Sequence, residues 1–146
     1  MYLGGGPRLT TRSVVLISPG NEVLLLHRVR TSTSFPSAHV FPGGNISLSQ
    51  DGEVPPPKDV GRHEDSIPYR RAAIRELFEE SGILLAKDRE SGEFIHVDEA
   101  DRERGRHAIH DGKITFQEWL QQQSSTAEPD TGKTRSKKKK VPIHDH

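Results

Sequence analysis

Two short apolar runs near the start of the chain are separated by turn-forming residues. The runs occupy residues 12–17 (RSVVLI) and 22–28 (EVLLLHR), and both are rich in β-branched and aliphatic side chains. Residues 18–21 (SPGN) lie between them, and these residue types favour tight turns. The pattern predicts a β-hairpin.

A helical pattern follows in the middle of the chain. Apolar side chains recur at the spacing of one helix face: Ala73, Ile74, Leu77 and Phe78. Ser66 is the predicted N-cap, and Gly82 supplies a left-handed stop at the other end. The pattern therefore predicts a helix that begins after Ser66 and ends before Gly82.

The segments on either side of this helix are less regular. Residues 39–41 read as a short extended piece that runs into the Pro-Gly-Gly turn at 42–44. Residues 45–66 contain three consecutive prolines and little periodicity, which predicts a long surface loop. After the helix, the pattern indicates a strand at 94–97, a charged helix at 98–110 and a short helix around Phe116, Trp119 and Leu120.

Composition limits the size of the folded part. Only 31% of the 146 residues are hydrophobic and 29% are charged, so the apolar core of a single domain must be modest. Polar and basic low-complexity sequence follows Gln123. We therefore expect a flexible N-terminus at 1–9, one domain at 10–123 and a disordered basic tail at 124–146.

Charge and residue usage exclude several kinds of site. The formal net charge is zero, but six of the basic residues lie in the last 23 positions, so the body is mildly acidic. With no cysteine, the chain has no disulfide framework and no thiolate zinc site. Its apolar runs are too short to cross a bilayer and its N-terminus lacks a signal core, which predicts a soluble intracellular protein with no membrane partner.

Two groups of cationic or titratable residues invite other interpretations. Lys137–Lys140 fits either a nuclear-import or nucleic-acid patch or a solvated tail, and the solvated tail is favoured over nucleic-acid binding. Among the eight histidines, only His107 and His110 are spaced as a ligand pair, so a zinc site is not favoured.

Three carboxylates are crowded together on the predicted helix. Glu76 and Glu80 are four residues apart and Glu79 lies beside them, so all three share one strip of the helix surface. Like charges at this spacing destabilise a helix by some tenths of a kcal/mol per pair. Either solvent or a hard divalent cation would compensate, and Arg75 could hold one carboxylate through its planar guanidinium.

The residues around this strip resemble a known motif. Residues 75–83 (RELFEESGI) are similar to the second half of the Nudix box, and residues 41–44 (FPGG) resemble the turn that opens it. Ala72 and Ala73 occupy the small-residue positions before Arg75. The resemblance covers roughly residues 10–85 and includes the predicted hairpin.

The motif is interrupted in this chain. Gly44 and Arg75 are separated by about 17 residues more than in the uninterrupted box, and the position of the first box glutamate is Gln50 counted from Gly44, or Ile67 counted back from Arg75. Glu64 and Asp65 could stand in for the missing acid, and the sequence leaves that choice open. The interruption and the lead-in LLLHRVRTSTSFPSAHVFPGG resemble the peroxisomal-type acyl-coenzyme A diphosphatases and their fungal relatives.

The resemblance implies a fold and an activity. The expected fold is an α/β (α+β) sandwich with a mixed sheet between helices, and the expected reaction is hydrolysis of the diphosphate linkage in a small-molecule nucleoside diphosphate derivative, most simply an acyl-CoA or CoA-type substrate. Mg²⁺ or Mn²⁺ would be the cofactor.

Residue roles follow from the same resemblance. Glu76 and Glu80 are expected to be metal ligands, and Glu79 is expected to share in metal binding or to activate water. Arg75 would orient a carboxylate. Gly43 and Gly44 would let the backbone approach the metal or the phosphate.

A second hypothesis comes from the segment after the box. Residues 84–123 contain little that reads as strand, so we expect the sandwich to be incomplete on its C-terminal side. The alternative function is an inactive Nudix remnant that binds a ligand or a partner. The subgroup suggests a peroxisome or mitochondrion, although the C-terminal His-Asp-His is not a peroxisomal signal, and the sequence gives no oligomeric state.

Overall fold

The computed structural model describes residues 11–33 and 35–131. In chain order the strands are β1 Thr11–Ser13, β2 Leu26–His27, β3 His39–Val40, β4 Gly43–Asn45, β5 Ala86–Asp88 and β6 Ala127–Pro129. The helices are α1 Leu48–Asp51, α2 Ile67–Ser81, α3 Glu99–His110 and α4 Phe116–Gln123, and a 3₁₀ turn covers Val60–His63. The predicted segments at 1–9 and beyond 131 lie outside the described residues.

Strand pairing in this part of the chain is antiparallel. β1 pairs with β4 so that Arg12 lies opposite Gly44, β2 pairs with β3, and β5 pairs with β6. The α+β class predicted from the sequence is confirmed by this combination of helices and short strands. The pairing of β1 with β4 places the Pro-Gly-Gly turn directly beside the N-terminal strand.

The predicted hairpin forms next to its turn, but the segments farther from the turn pair with other strands. Ile17 bridges Val23, and Leu24 N–H donates to the Leu16 carbonyl at 3.0 Å. β1 and β2 then separate, because each pairs with a strand of the Pro-Gly-Gly region instead of with the other. Side chains on one face of the hairpin are about half exposed: Val15, Ile17, Val23 and Leu25.

Helix α2 begins and ends as the sequence predicts. Ser66 occupies the N-cap position in an extended conformation, although its hydroxyl makes no capping hydrogen bond. Gly82 adopts a left-handed conformation with φ of 75° and donates its N–H to the Phe78 carbonyl at 2.8 Å. The helix buries its apolar face against the rest of the domain.

The core lies between α2 and the two helices that follow it. Phe78 is fully buried and its ring stacks on Trp119 with centroids 4.6 Å apart, while Phe116 packs 5.5 Å from Phe78. Aromatic pairs at these distances add to the stabilisation from area burial. The capping box between Thr115 and Glu118 starts α4, so the aromatic face of α4 is presented to α2.

Three sequence predictions need correction. Residues 45–66 are not all loop, because α1 forms within them and buries Asp51. The folded part does not end at Gln123, because β6 pairs with β5 and buries Ala127. Residues 94–97 do not form a strand beyond a single bridge between Phe94 and Lys87.

Within residues 11–33 and 35–131, no helix is long and apolar enough to cross a bilayer.

Candidate active site

The carboxylate strip of α2 lies against strand β4. The Gly43 N–H donates to Glu80 Oε2 at 2.9 Å, which ties the Pro-Gly-Gly turn to the last turn of the helix. A Cβ atom on Gly44 would lie 2.4 Å from the Glu76 carboxylate, and a Cβ atom on Gly43 would lie 2.1 Å from the Arg12 carbonyl oxygen. Glycine is therefore required at both positions by the close approach of neighbouring groups.

Arg75 lies at the centre of the strip and is almost completely buried. Its side chain is 4% exposed, and each of its five N–H groups has an acceptor. Nε and one Nη2 hydrogen bind the two carboxylate oxygens of Asp51 at 3.0 and 2.9 Å, and Nη2 also donates to the Asn45 carbonyl. Such a two-point contact fixes both distance and orientation.

The acid that holds Arg75 is therefore Asp51. Asp65 pairs with Arg70 instead, and Glu64 lines a separate cavity beside Arg12 and Tyr69. Among the described residues the acids that bind Arg75 are Asp51, Glu76 and Glu79, so neither Glu64 nor Asp65 takes that position. Both lie after the 3₁₀ turn of the insertion, whereas Asp51 lies before it and adjoins β4.

Helix α1 explains why the acid is one position later than the motif predicts. The Gln50 side-chain oxygen accepts the Phe116 N–H at 3.0 Å, so Gln50 faces the start of α4. Asp51 then points towards Arg75, and its carboxylate also accepts the Ser47 N–H at 2.8 Å. The sequence signal that could have found Asp51 was an acid one residue beyond the expected position, in a short turn closed by Gly52.

Arg75 also fixes one oxygen of each neighbouring glutamate. Its Nη1 donates to Glu76 Oε1 and to Glu79 Oε1, both at 2.8 Å. The second oxygen of each carboxylate has no hydrogen bond to the described part of the chain, and Glu79 Oε2 lies 3.7 Å from Nδ1 of His110. Arg75 therefore holds one oxygen of each of these two carboxylates in place.

Burial and neighbouring charges shift the pKa values of three side chains in this site. Burial raises the pKa of Glu76, although the nearby guanidinium of Arg75 opposes the rise. Burial likewise raises the pKa of Glu80, against the hydrogen bond from Gly43 and the charge of Arg28. Burial alone would lower the pKa of Arg75, but hydrogen bonds to Asp51 and Glu79 outweigh it and raise that pKa. The negative charges of ionised Glu76 and Glu80 are thus under-compensated where they lie.

The donor set suits a hard divalent cation, although the side chains are not gathered around one point. Glu76, Glu79 and Glu80 offer only oxygen atoms, the ligands that Mg²⁺ prefers, and one oxygen of each is left over by the protein's own hydrogen bonds. No cluster of three or more acidic or histidine side chains in metal-binding geometry occurs in the described ranges. Waters would therefore complete the coordination of any ion held there.

A cavity of about 350 Å³ opens beside Glu80. Its wall combines apolar side chains of β2 and β3 with the polar groups of His27, Arg28 and Ser32. Arg28 Nε donates to the Ser32 hydroxyl at 3.0 Å, which holds the guanidinium at this wall. The cavity offers one cation and a hydroxyl within reach of the carboxylate strip.

Comparison with known proteins supports the fold. A search of protein-family profiles finds no match to the sequence. The crystal structure of a NUDIX hydrolase from Alicyclobacillus acidocaldarius superposes with a TM-score of 0.65 at 24% identity, covering 85% of this chain. The chain has a Nudix-type fold.

The fold brings the residues of the candidate site together. The chain spans 57% of the length of the NUDIX hydrolase it matches. All six residues singled out from the sequence lie close together, on helix α2 and on strand β4 beside the turn that joins β3 to β4. They are Gly43, Gly44, Arg75, Glu76, Glu79 and Glu80. In the described part of the chain, three side chains accept hydrogen bonds from Arg75: Asp51, Glu76 and Glu79. Of these, Asp51 is the one that was not singled out from the sequence.

Proposed function

We propose that this chain is a divalent-cation-dependent hydrolase that cleaves the diphosphate linkage of a nucleoside diphosphate derivative. The observation that carries the proposal is how the carboxylate oxygens around Arg75 are hydrogen-bonded. Its guanidinium donates to one carboxylate oxygen of Glu76 and one of Glu79, and the Gly43 N–H donates to one oxygen of Glu80. The opposite oxygens remain for a cation and a water. A merely solvated acidic face would not need a buried arginine held by a buried aspartate.

The roles of the side chains follow from these contacts. Glu76 and Glu80 would supply oxygen ligands to Mg²⁺ or Mn²⁺, and the bound ion would neutralise phosphoryl charge and acidify a bound water. Glu79 Oε2 would accept the proton of the attacking water, because Arg75 already engages Oε1. Gly44 keeps the backbone close to Glu76, where a larger residue would displace the carboxylate.

The reaction balances without any further reactant. A water oxygen forms the new bond to phosphorus, the bridging P–O bond breaks, and the proton taken by Glu79 returns to solvent. The products are two phosphomonoesters. Because a diphosphate is anionic, the ion and Arg28 would share its charge, with Arg28 at the wall of the neighbouring cavity.

Within this class we propose a CoA-type substrate, most simply an acyl-CoA. The support is the resemblance of the segment that contributes His27, Arg28 and Ser32 to the lead-in of acyl-coenzyme A diphosphatases. The same segment lines the cavity beside Glu80, where a group attached to the diphosphate would lie. The expected products are 3′,5′-ADP and an acyl-phosphopantetheine.

The experiment is a hydrolysis assay with acyl-CoA, Mg²⁺ or Mn²⁺, and detection of 3′,5′-ADP. Glu79→Gln and Glu80→Gln should each abolish turnover and leave the circular dichroism spectrum unchanged. Glu22→Gln, at an exposed turn of the hairpin, is the matched control and should retain full activity. Turnover that survives both changes on the strip would contradict the assigned roles.

The second candidate function is a binding module with a Nudix-type fold and no turnover. The observation that favours it is that no three acidic or histidine side chains of the described ranges converge on one point. In that case the cavity beside Glu80 would hold a ligand that is not hydrolysed. Acyl-CoA binding by calorimetry without 3′,5′-ADP release, at any concentration of Mg²⁺ or Mn²⁺, would favour this function over the first.

A further inference from the structure

Helix α3 contacts the carboxylate strip at the backbone of one of its members. Arg106 donates through Nε and Nη2 to the carbonyl oxygen of Glu79, at 3.1 and 2.9 Å. Its Nη1 donates to Glu103 Oε2 at 2.8 Å, so a second residue of α3 orients the guanidinium. Two donors on one carbonyl oxygen fix the relative position of the two helices.

The Glu79 carbonyl needs this contact because of how α2 ends. In a continuing helix the Ile83 N–H would be the donor to Glu79, but it donates instead to the Ser81 hydroxyl at 3.2 Å. The left-handed Gly82 satisfies the Phe78 carbonyl and turns the chain away. Arg106 therefore supplies, from another helix, the donors that the last turn of α2 lacks.

Glu79 is consequently held at both of its ends. Arg106 fixes its carbonyl oxygen, and Arg75 fixes Oε1 of its side chain at 2.8 Å. A glutamate side chain with free backbone and carboxylate would sample several rotamers. Because both ends are held, the direction in which Glu79 Oε2 points is fixed.

We propose that Arg106 is a positioning residue, which fixes the last turn of α2 so that Glu79 and Glu80 keep the placement needed for cation binding and for hydrolysis. This inference rests on the proposed function for the identity of the reaction. The positioning itself involves only contacts within the chain. Arg106 is one-quarter exposed and touches neither cavity described above.

The test measures Mn²⁺ affinity by electron paramagnetic resonance on the full chain, and hydrolysis separately. Arg106→Met keeps the aliphatic stem against Gly82 and removes all donors, and it should weaken Mn²⁺ binding by about tenfold, as loss of groups that orient ligands does. Arg106→Lys retains a single donor group, the ammonium, and should recover part of the affinity. kcat should fall with the affinity, while KM changes little.

Two controls separate positioning from general loss of stability. Arg104→Met changes an exposed arginine of the same helix whose ion pair is with Asp101, and it should leave Mn²⁺ affinity unchanged. Ile109→Val lowers stability by about 1 kcal/mol through the core. When circular dichroism shows that all of these variants are fully folded, the Arg106 variants must bind Mn²⁺ more weakly than Ile109→Val does.

The outcomes are distinct. Equal Mn²⁺ affinity in Arg106→Lys, Arg106→Met and Ile109→Val would overturn the positioning role, whatever the activity. Mn²⁺ binding that depends on Arg106, in a chain that hydrolyses no diphosphate, would support positioning and reject the proposed reaction. A wild-type chain that binds no Mn²⁺ would overturn both.

Discussion

The carboxylate of Asp51 and the guanidinium of Arg75 form a buried ion pair with two hydrogen bonds, of 3.0 and 2.9 Å, across 24 positions of sequence. Asp51 is 1% exposed and Arg75 is 4% exposed. A charge buried this deeply is stable only when it is paired and hydrogen-bonded. The pair therefore joins the start of the inserted segment to the helix that carries the glutamates.

The first prediction concerns loss of this pair. Asp51→Asn removes one charge and leaves Arg75 buried with fewer acceptors, so we expect a loss of about 3 kcal/mol in the free energy of unfolding. Thermal denaturation should show a fall in Tm of about 10 °C or more for a domain of this size. Asp65→Asn, which alters an exposed pair with Arg70, should change Tm by no more than about 2 °C.

The second prediction tests which residue serves as the box acid. In the double variant Gln50→Glu with Asp51→Asn, the acid occupies the position that the Nudix motif specifies. We expect no rescue of Tm, because residue 50 faces the Phe116 N–H at the start of α4 and not Arg75. Recovery of Tm to within a few degrees of wild type would mean that α1 can shift its register by one residue.

The parts of the fold that the sequence predicted were those with local signals. Helix α2 was found because Ser66, the apolar period and Gly82 all act within or next to it. Helix α4 was found because Phe116, Trp119 and Leu120 share one face. The roles of Arg75 and the two glycines came from a motif whose residues are close in sequence.

The parts that were missed depend on contacts distant in sequence. Asp51 lies 24 positions before Arg75 and one position beyond the one that the motif specifies, so the long insertion hides the pairing. Strand β6 lies in a polar segment and becomes visible only by its pairing with β5, in which Ala127 lies opposite Asp88. The polarity of this segment predicts disorder, because three residues carry too weak a β signal alone.

The third prediction addresses the close approach of Gly44 to Glu76. A methyl group at residue 44 would lie 2.4 Å from the Glu76 carboxylate, so Gly44→Ala must displace either the strand or the side chain. We expect a loss of about 1–3 kcal/mol in stability, together with weaker Mn²⁺ binding. Gly20→Ala, where the nearest atom lies 3.6 Å away, is the control and should behave as wild type in both urea denaturation and metal titration.

The fourth prediction tests whether residues 124–131 belong to the folded domain. Ala127 is 3% exposed and packs in the core with Trp119 and Leu120. Ala127→Glu would bury an unpaired carboxylate, and we expect it to destabilise the domain by at least about 3 kcal/mol. Glu128→Ala, on the outward side of the same strand, should cost less than about 1 kcal/mol. Equal urea midpoints for the two variants would place β6 outside the cooperative unit.

The last prediction uses the raised pKa of Glu76. Because burial raises that pKa above its ordinary value of 4.5, the folded chain favours the protonated carboxyl more than the unfolded chain does. Ionised Glu76 therefore lowers stability at pH values above the folded pKa, and this penalty disappears as the pH falls below the unfolded pKa. Glu76→Gln resembles the protonated form and can still accept from Arg75.

Without divalent ions, Glu76→Gln should thus have a higher Tm than wild type at pH 7, and the difference should vanish near pH 4. Adding Mn²⁺ at about 100 times its dissociation constant should stabilise wild type by about 2.7 kcal/mol, because the ion offsets the charge that burial disfavours. The variant should gain much less. Thermal denaturation in EDTA and in Mn²⁺, at both pH values and with Glu22→Gln as control, measures all of these differences. Equal Mn²⁺ stabilisation of wild type and Glu76→Gln would show that the ion binds elsewhere.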